Sequence, residues 1–117
     1  MQIQLYETSS GRKLILEYIE SQDDEKTKIR MLGQLERLEL GEQKKLLSSE
    51  VLKKMHTSNP KIYKTKVGGH RFFGGFVGSC YYITHAFPKK EQKARGMDIN
   101  VAQKRLKDIM TRQYFKK

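Results

Sequence analysis

Residues 61–87 read KIYKTKVGGHRFFGGFVGSCYYITHAF, and this stretch decides the fold. It divides into three runs rich in β-branched and aromatic residues: 61–67 (KIYKTKV), 70–77 (HRFFGGFV) and 80–87 (CYYITHAF). The joints between them, Gly68-Gly69 and Gly78-Ser79, are the two-residue connections that close tight hairpins. The pattern predicts an antiparallel meander of three strands. Gly74-Gly75 inside the middle run predicts a bulge or a close backbone approach, and Pro88 marks the end of the last run.

Upstream, residues 2–7 (QIQLYE) alternate apolar and polar and predict a half-buried strand. Thr8-Ser9-Ser10-Gly11 predicts a turn whose hydroxyls cap a helix with the stripe Leu14, Ile15, Tyr18 and Ile19. Asp23 or Asp24 is positioned to cap a second helix, with Ile29, Leu32, Leu35 and Leu38 inward and Gly41 as its stop. Residues 42–60 are less regular, with Ser48 or Ser49 capping a short turn through Val51, Leu52 and Met55. Downstream, Asp98 is positioned to cap a last helix with the stripe Ala102, Leu106, Ile109 and Met110. The order β-α-α-β-β-β-α predicts one α+β domain over residues 1–117, with helices packed on a small antiparallel sheet. A hydrophobic content of 37% suffices for one core at this length.

The charge is unevenly placed. Residues 1–60 carry ten Lys/Arg and ten Asp/Glu, whereas residues 61–117 carry fourteen against three, so the net +11 arises in the second part alone. An excess of this kind implies an acidic partner, nucleic acid or protein. No apolar run approaches a membrane span, which predicts no membrane partner. Ile3 and Leu5 alternate with Gln2 and Gln4, unlike a secretory signal. The single cysteine, Cys80, has no partner for an internal disulfide, which suits a reducing compartment. A cytoplasmic protein is the expectation.

Several side chains in the basic part could carry chemistry. Lys64 and Lys66 lie two apart on a strand and share a face, roughly 6.6 Å apart along it, a spacing that suits neighbouring phosphates. Arg71, on the adjacent strand, could hold a phosphate through both guanidinium arms. For each of these cations the plainer alternative is a solvated face or a rim ion pair. His85 ends the last strand just ahead of Lys89-Lys90. An imidazole there could exchange a proton with a ribose hydroxyl, kept neutral by the surrounding cations; the alternative is a core histidine satisfied by one backbone bond. His70, beside a turn, fits either role, and His56 reads as a bystander. The histidines are isolated and GGHRFFGG lacks the Gly-Lys-Ser/Thr of a phosphate loop, so neither a zinc site nor another cofactor is expected.

Taken together, IYKTKVGGHRFF, YYITHAFPKKEQK and the closing VAQKRLKDIM resemble the RelE/HigB superfamily, in particular its phage-derived HigB-like branch. YETSSGRKLILEYIES and LSSEVLKKM resemble that branch too, so the likeness spans most of the chain, and HAF-x-KK-x-QK is its most specific part. The resemblance implies a RelE-like fold and the toxin of a type II toxin–antitoxin module. Such toxins cleave mRNA on the ribosome without metal, through attack of a ribose 2′-hydroxyl on the adjacent phosphate. By resemblance Arg71, Lys66, His85, Lys89 and Lys90 match functional positions of the family; together with the charge pattern this gives Arg71, His85 and Lys90 as the expected catalytic residues, with Lys64, Lys66, His70, Lys89 and Lys93 binding RNA or phosphate. The implied partners are a cognate antitoxin, the ribosome with its mRNA, and a toxin–antitoxin hetero-oligomer on operator DNA. The chain departs from its relatives at Gln92-Lys93-Ala94-Arg95 and at Gly74-Gly75. Two other readings fit the same residues: a non-catalytic RNA- or DNA-binding protein, and an inactive relative that binds only an antitoxin.

Overall fold

The computed structural model describes residues 1–89 and 95–115. Among them, in chain order, are β1 (Gln2–Leu5), α1 (Leu14–Glu20), α2 (Glu25–Leu40), α3 (Gln43–Ser48), β2 (Lys53–Lys54), β3 (Tyr63–Val67), β4 (His70–Val77), β5 (Cys80–Pro88) and α4 (Arg95–Phe115). The strands form one five-stranded sheet in the order β1-β5-β4-β3-β2. The architecture is α+β, and the β3-β4-β5 meander is antiparallel. Gly68 and Gly78 open its two hairpin turns with φ of +55° and +62°, a left-handed backbone that suits glycine.

Strand alternation sorts the side chains onto two faces. One face packs Phe72, Tyr81, Ile83 and Ala86 against Ile15 and Ile19 of α1, Met31 and Leu38 of α2, and Leu46 of α3. The other packs Phe73, with Tyr6 and Ile62, against Ala102, Leu106 and Ile109 of α4. Thr65 is buried under α2, where its Oγ1 accepts from Gln34 Nε2 at 3.0 Å and donates to the Val51 carbonyl at 2.7 Å.

The structure corrects several expectations. β1 joins the sheet parallel to β5, so the sheet is mixed. Two short elements, α3 and β2, occupy the segment read as irregular, and the Ser48-Ser49 pair ends α3 rather than starting a turn. Thr8 does not cap α1; its hydroxyl accepts from the Arg12 backbone N–H at 2.9 Å and closes the preceding loop. Asp24 does cap α2 through the Lys26 N–H. Within α2 the inward stripe is Met31, Leu35 and Leu38, while Ile29 and Leu32 are 66% and 48% exposed. Gly41 ends α2 with an extended backbone, where a Cβ would press on the Leu46 side chain at 2.9 Å and the Arg37 carbonyl at 3.1 Å. Asp98 sits in the first turn of α4 and sends its carboxylate to His85. On the closing stripe, Met110 is partly exposed.

Gly74 and Gly75 are sites of close approach. A Cβ on Gly74 would lie 2.1 Å from the Tyr82 carbonyl, and one on Gly75 would lie 2.3 Å from the Leu106 side chain. The register shift beside them places the extra residue on the neighbouring strand. Phe73 pairs with His85 and Gly74 with Ile83, which leaves Thr84 as the bulged residue of β5.

Candidate nucleic-acid interface

The bulge at Thr84 has a direct consequence for His85. Tyr82 packs on the α4 side and Ile83 on the opposite side, so strict alternation would turn His85 away from α4. The extra residue breaks that alternation. Thr84 donates to the Ala102 carbonyl at 3.1 Å, and His85 likewise faces α4, with Nε2 2.8 Å from Asp98 Oδ1.

Two rows of side chains then cross the α4 face. Lys53, Lys64, Phe73 and His85 are successive cross-strand partners, and so are Lys66, Arg71 and Phe87. His70 belongs to the other face: its Nδ1 lies 2.6 Å from the Tyr18 hydroxyl of α1, and the two rings meet edge-on. Burial pushes Tyr18 up to about 12 and lowers His70, with Arg71 lowering the latter further. The expectation that His70 shares a phosphate site with Arg71 and His85 therefore does not match its position. Lys64 shares its face with Lys66, but Lys64 is buried (8% exposed), whereas Lys66 is exposed. Lys89 is exposed, and its backbone N–H is tied to the Gly69 carbonyl at 2.7 Å, which fixes it beside the β3–β4 turn. Lys90 and Lys93 lie outside the described residues.

Arg71 directs Nη1 to the carbonyls of Gly68 and His70, at 2.9 and 2.8 Å. It is thereby anchored on the turn while the rest of its guanidinium stays uncommitted among the described residues. His85 is more constrained. Its ring stacks on Phe87 at 5.1 Å and 19°, and Phe87 meets Phe73 edge-on at 4.8 Å. With Asp98 accepting from Nε2–H, the free lone pair is on Nδ1, where Arg105 Nη1 sits 3.5 Å away while donating to the Thr84 carbonyl. Burial holds His85 below the usual imidazole range; Asp98 opposes this and Arg105 adds to it. Burial, rather than a halo of cations, is thus the main cause.

The acids in this part of the chain are largely committed. Asp98 holds His85, while Asp108 pairs with Arg112 and accepts from the Tyr6 hydroxyl at 2.8 Å. Arg112 and Arg105 also lie over the Tyr6 ring, at 5.4 and 5.6 Å from its centre, so both arginines serve the attachment of α4. Among the described residues no carboxylate pairs with Lys66 or Arg71. Two like charges directly opposite on adjacent strands disfavour pairing, and among the described residues no carboxylate offsets them.

Sequence reasoning missed a second cationic feature. A cleft of about 280 Å³ is lined by Lys53, Lys54, Met55, His56, Lys64 and Ile99. It draws on β2, a strand too short to show periodicity, and includes the histidine read as a bystander. Among the described residues no three His, Cys, Asp or Glu side chains gather as a metal site. No helix among them is long and apolar enough to cross a membrane.

No protein-family model matches the chain, nor does any curated protein at a significant level.

Proposed function

We propose that this protein is an RNA-cleaving inhibitor of translation of the RelE/HigB kind, acting on mRNA in the ribosome and restrained by an acidic antitoxin. The supporting observation is the facing pair Lys66 and Arg71, uncompensated by any carboxylate among the described residues. Two facing cations with no carboxylate beside them suit a phosphate as their neighbour. Phe87 lies in the same row, partly exposed, and offers a stacking surface for a base. The element order is the one the sequence pattern predicts once the two short elements are set aside.

In this reading the 2′-oxygen of a ribose attacks the adjacent phosphorus, the bond to the 5′-oxygen breaks, and a cyclic phosphate and a 5′-hydroxyl result. Arg71 and Lys66, with Lys89 at the turn, stabilise the charge that develops on the phosphate, a role the resemblance also gives Lys90. Asp98 accepts from Nε2–H and so leaves the Nδ1 lone pair, beside Arg105, to take the proton of the 2′-hydroxyl, while water supplies the proton that the departing 5′-oxygen gains. Induction of the chain in growing cells should arrest growth, and primer extension on translated mRNA should reveal new cuts that Arg71→Ala abolishes. Equal growth and intact mRNA with both proteins would remove the reading.

One observation favours a binder that does not cut: both ring nitrogens of His85 already face partners, Asp98 and Arg105. Such a protein would protect bound RNA in footprinting and leave no new ends.

A further inference from the structure

The cleft beside the Lys66–Arg71 row has the composition of a nucleotide site. A phosphate needs cations and a base needs an apolar surface, and Lys53, Lys54 and His56 stand around Met55 and Ile99. Its position adds to this. Lys53 and Lys64 are cross-strand partners, one step along β3 from Lys66 and on the same face. That step is roughly 6.6 Å, about one nucleotide of an extended strand.

We infer that this cleft is a second nucleotide subsite: single-stranded RNA held at Lys66 and Arg71 continues along the sheet and seats its neighbouring nucleotide among Lys53, Lys54 and His56. The inference rests on the proposed RNA-binding face but not on cleavage. The cleft would take a phosphate through its lysines and a base against Met55 and Ile99, with no hydrogen-bonded reading of sequence. It sets which length of RNA is gripped.

The test uses RNAs with 2′-O-methyl riboses, which cannot be cut, so that binding is measured apart from chemistry. A labelled dinucleotide and a labelled hexanucleotide are titrated with the full chain, with Lys53→Ala/Lys54→Ala, with Lys66→Ala, and with the control Lys26→Ala/Lys44→Ala on α2 and α3. Lys53 and Lys54 are both exposed, and thermal unfolding verifies that their removal leaves the fold intact. Lys53→Ala/Lys54→Ala should lose roughly tenfold in affinity for the hexanucleotide and little for the dinucleotide. Its slope of log affinity against log salt should fall by about 0.7 for each phosphate contact removed. Lys66→Ala should weaken both RNAs, and the control neither. An equal loss on both RNAs, or a loss no larger than the control's, overturns the subsite. Absence of salt-dependent binding by the unmodified chain overturns both the subsite and the RNA-binding face. A length-dependent loss together with uncut mRNA in cells supports the subsite and removes only the cleavage.

Discussion

The two faces of the sheet are built to different ends, although every strand contributes to both. Toward α1, α2 and α3 the side chains are Phe72, Tyr81, Ile83, Ala86 and a hydrogen-bonded Thr65, closely packed. Toward α4 the apolar packing of Phe73 against Leu106 and Ile109 covers part of the surface, and the remainder presents Lys66, Arg71 and Phe87. The histidines follow the same division. His70 is bonded to a tyrosine on the closed face, and His85 to a carboxylate on the cationic one. The charge asymmetry along the sequence becomes, in three dimensions, an asymmetry between faces.

The sharpest test of that division uses adjacent residues of β4. Phe72 is fully buried, and Phe72→Ala should cost about 4 kcal/mol in chemical denaturation. The RNA affinity of the molecules that remain folded should be unchanged. Arg71→Ala should give the reverse: a stability loss of about 1 kcal/mol from the turn contacts, and an RNA affinity lower by tenfold or more. Similar effects of the two substitutions on both quantities would dissolve the distinction between the faces.

Gly74→Ala comes next. Its Cβ would meet backbone, the Tyr82 carbonyl at 2.1 Å, so no side-chain rotation can relieve the contact. A loss of about 3 kcal/mol is expected, at the upper end for overpacking. Because Gly74 pairs across the sheet beside the bulge, NMR shifts of His85 should move as well. A stable variant with unmoved His85 signals would show that the two strands can separate locally without disturbing the bulge.

The meander was legible in the sequence because its punctuation is local: each glycine turn and each aromatic run carries its own conformational preference. What escaped depended on partners distant in the chain. The parallel pairing of β1 is set by β5, some eighty residues on. The inward stripe of α2 shifts from Ile29 and Leu32 to Met31, because Met31, Leu35 and Leu38 form a second apolar stripe at helical spacing and only the packed sheet selects between the two. The facing of His85 could not be read from alternation either, since a bulge reverses it. Lys64 and Lys66 were legible as sharing one face with Arg71 on the neighbouring strand, whereas the tyrosine that His70 meets lies fifty-two residues earlier and could not be read locally.

Asp98→Asn probes the cationic face with a smaller effect. Replacing the charged acceptor at His85 should cost about 1 to 2 kcal/mol near neutral pH. The pH dependence carries more information. His85 and His70 are both depressed in the folded protein, so the unfolded chain binds protons more readily, and stability rises with pH. The stability is complete above the ordinary histidine range, about 6.5, and is lost as pH falls from there through the folded values. Asp98 supports the protonated form of His85, so Asp98→Asn should lower the His85 titration further while leaving that of His70 in place. Two-dimensional NMR of the imidazole protons reads both in one experiment. A parallel shift of the two histidines would mean that they are coupled through the sheet.

The smallest expected change tests the premise that Lys66 and Arg71 repel. Lys66 is exposed and its removal leaves no cavity, so the dominant effect should be relief of the like-charge pair. Lys66→Ala should therefore gain about 0.2 to 0.5 kcal/mol at low salt, against the usual trend for substitutions, and the gain should shrink as salt screens the pair. A site that gives up stability for function is expected to behave in this way, with affinity falling as stability rises. A loss of stability instead would show that the lysine stem contributes packing across β3 and β4. The facing cations would then no longer require an anion to explain them.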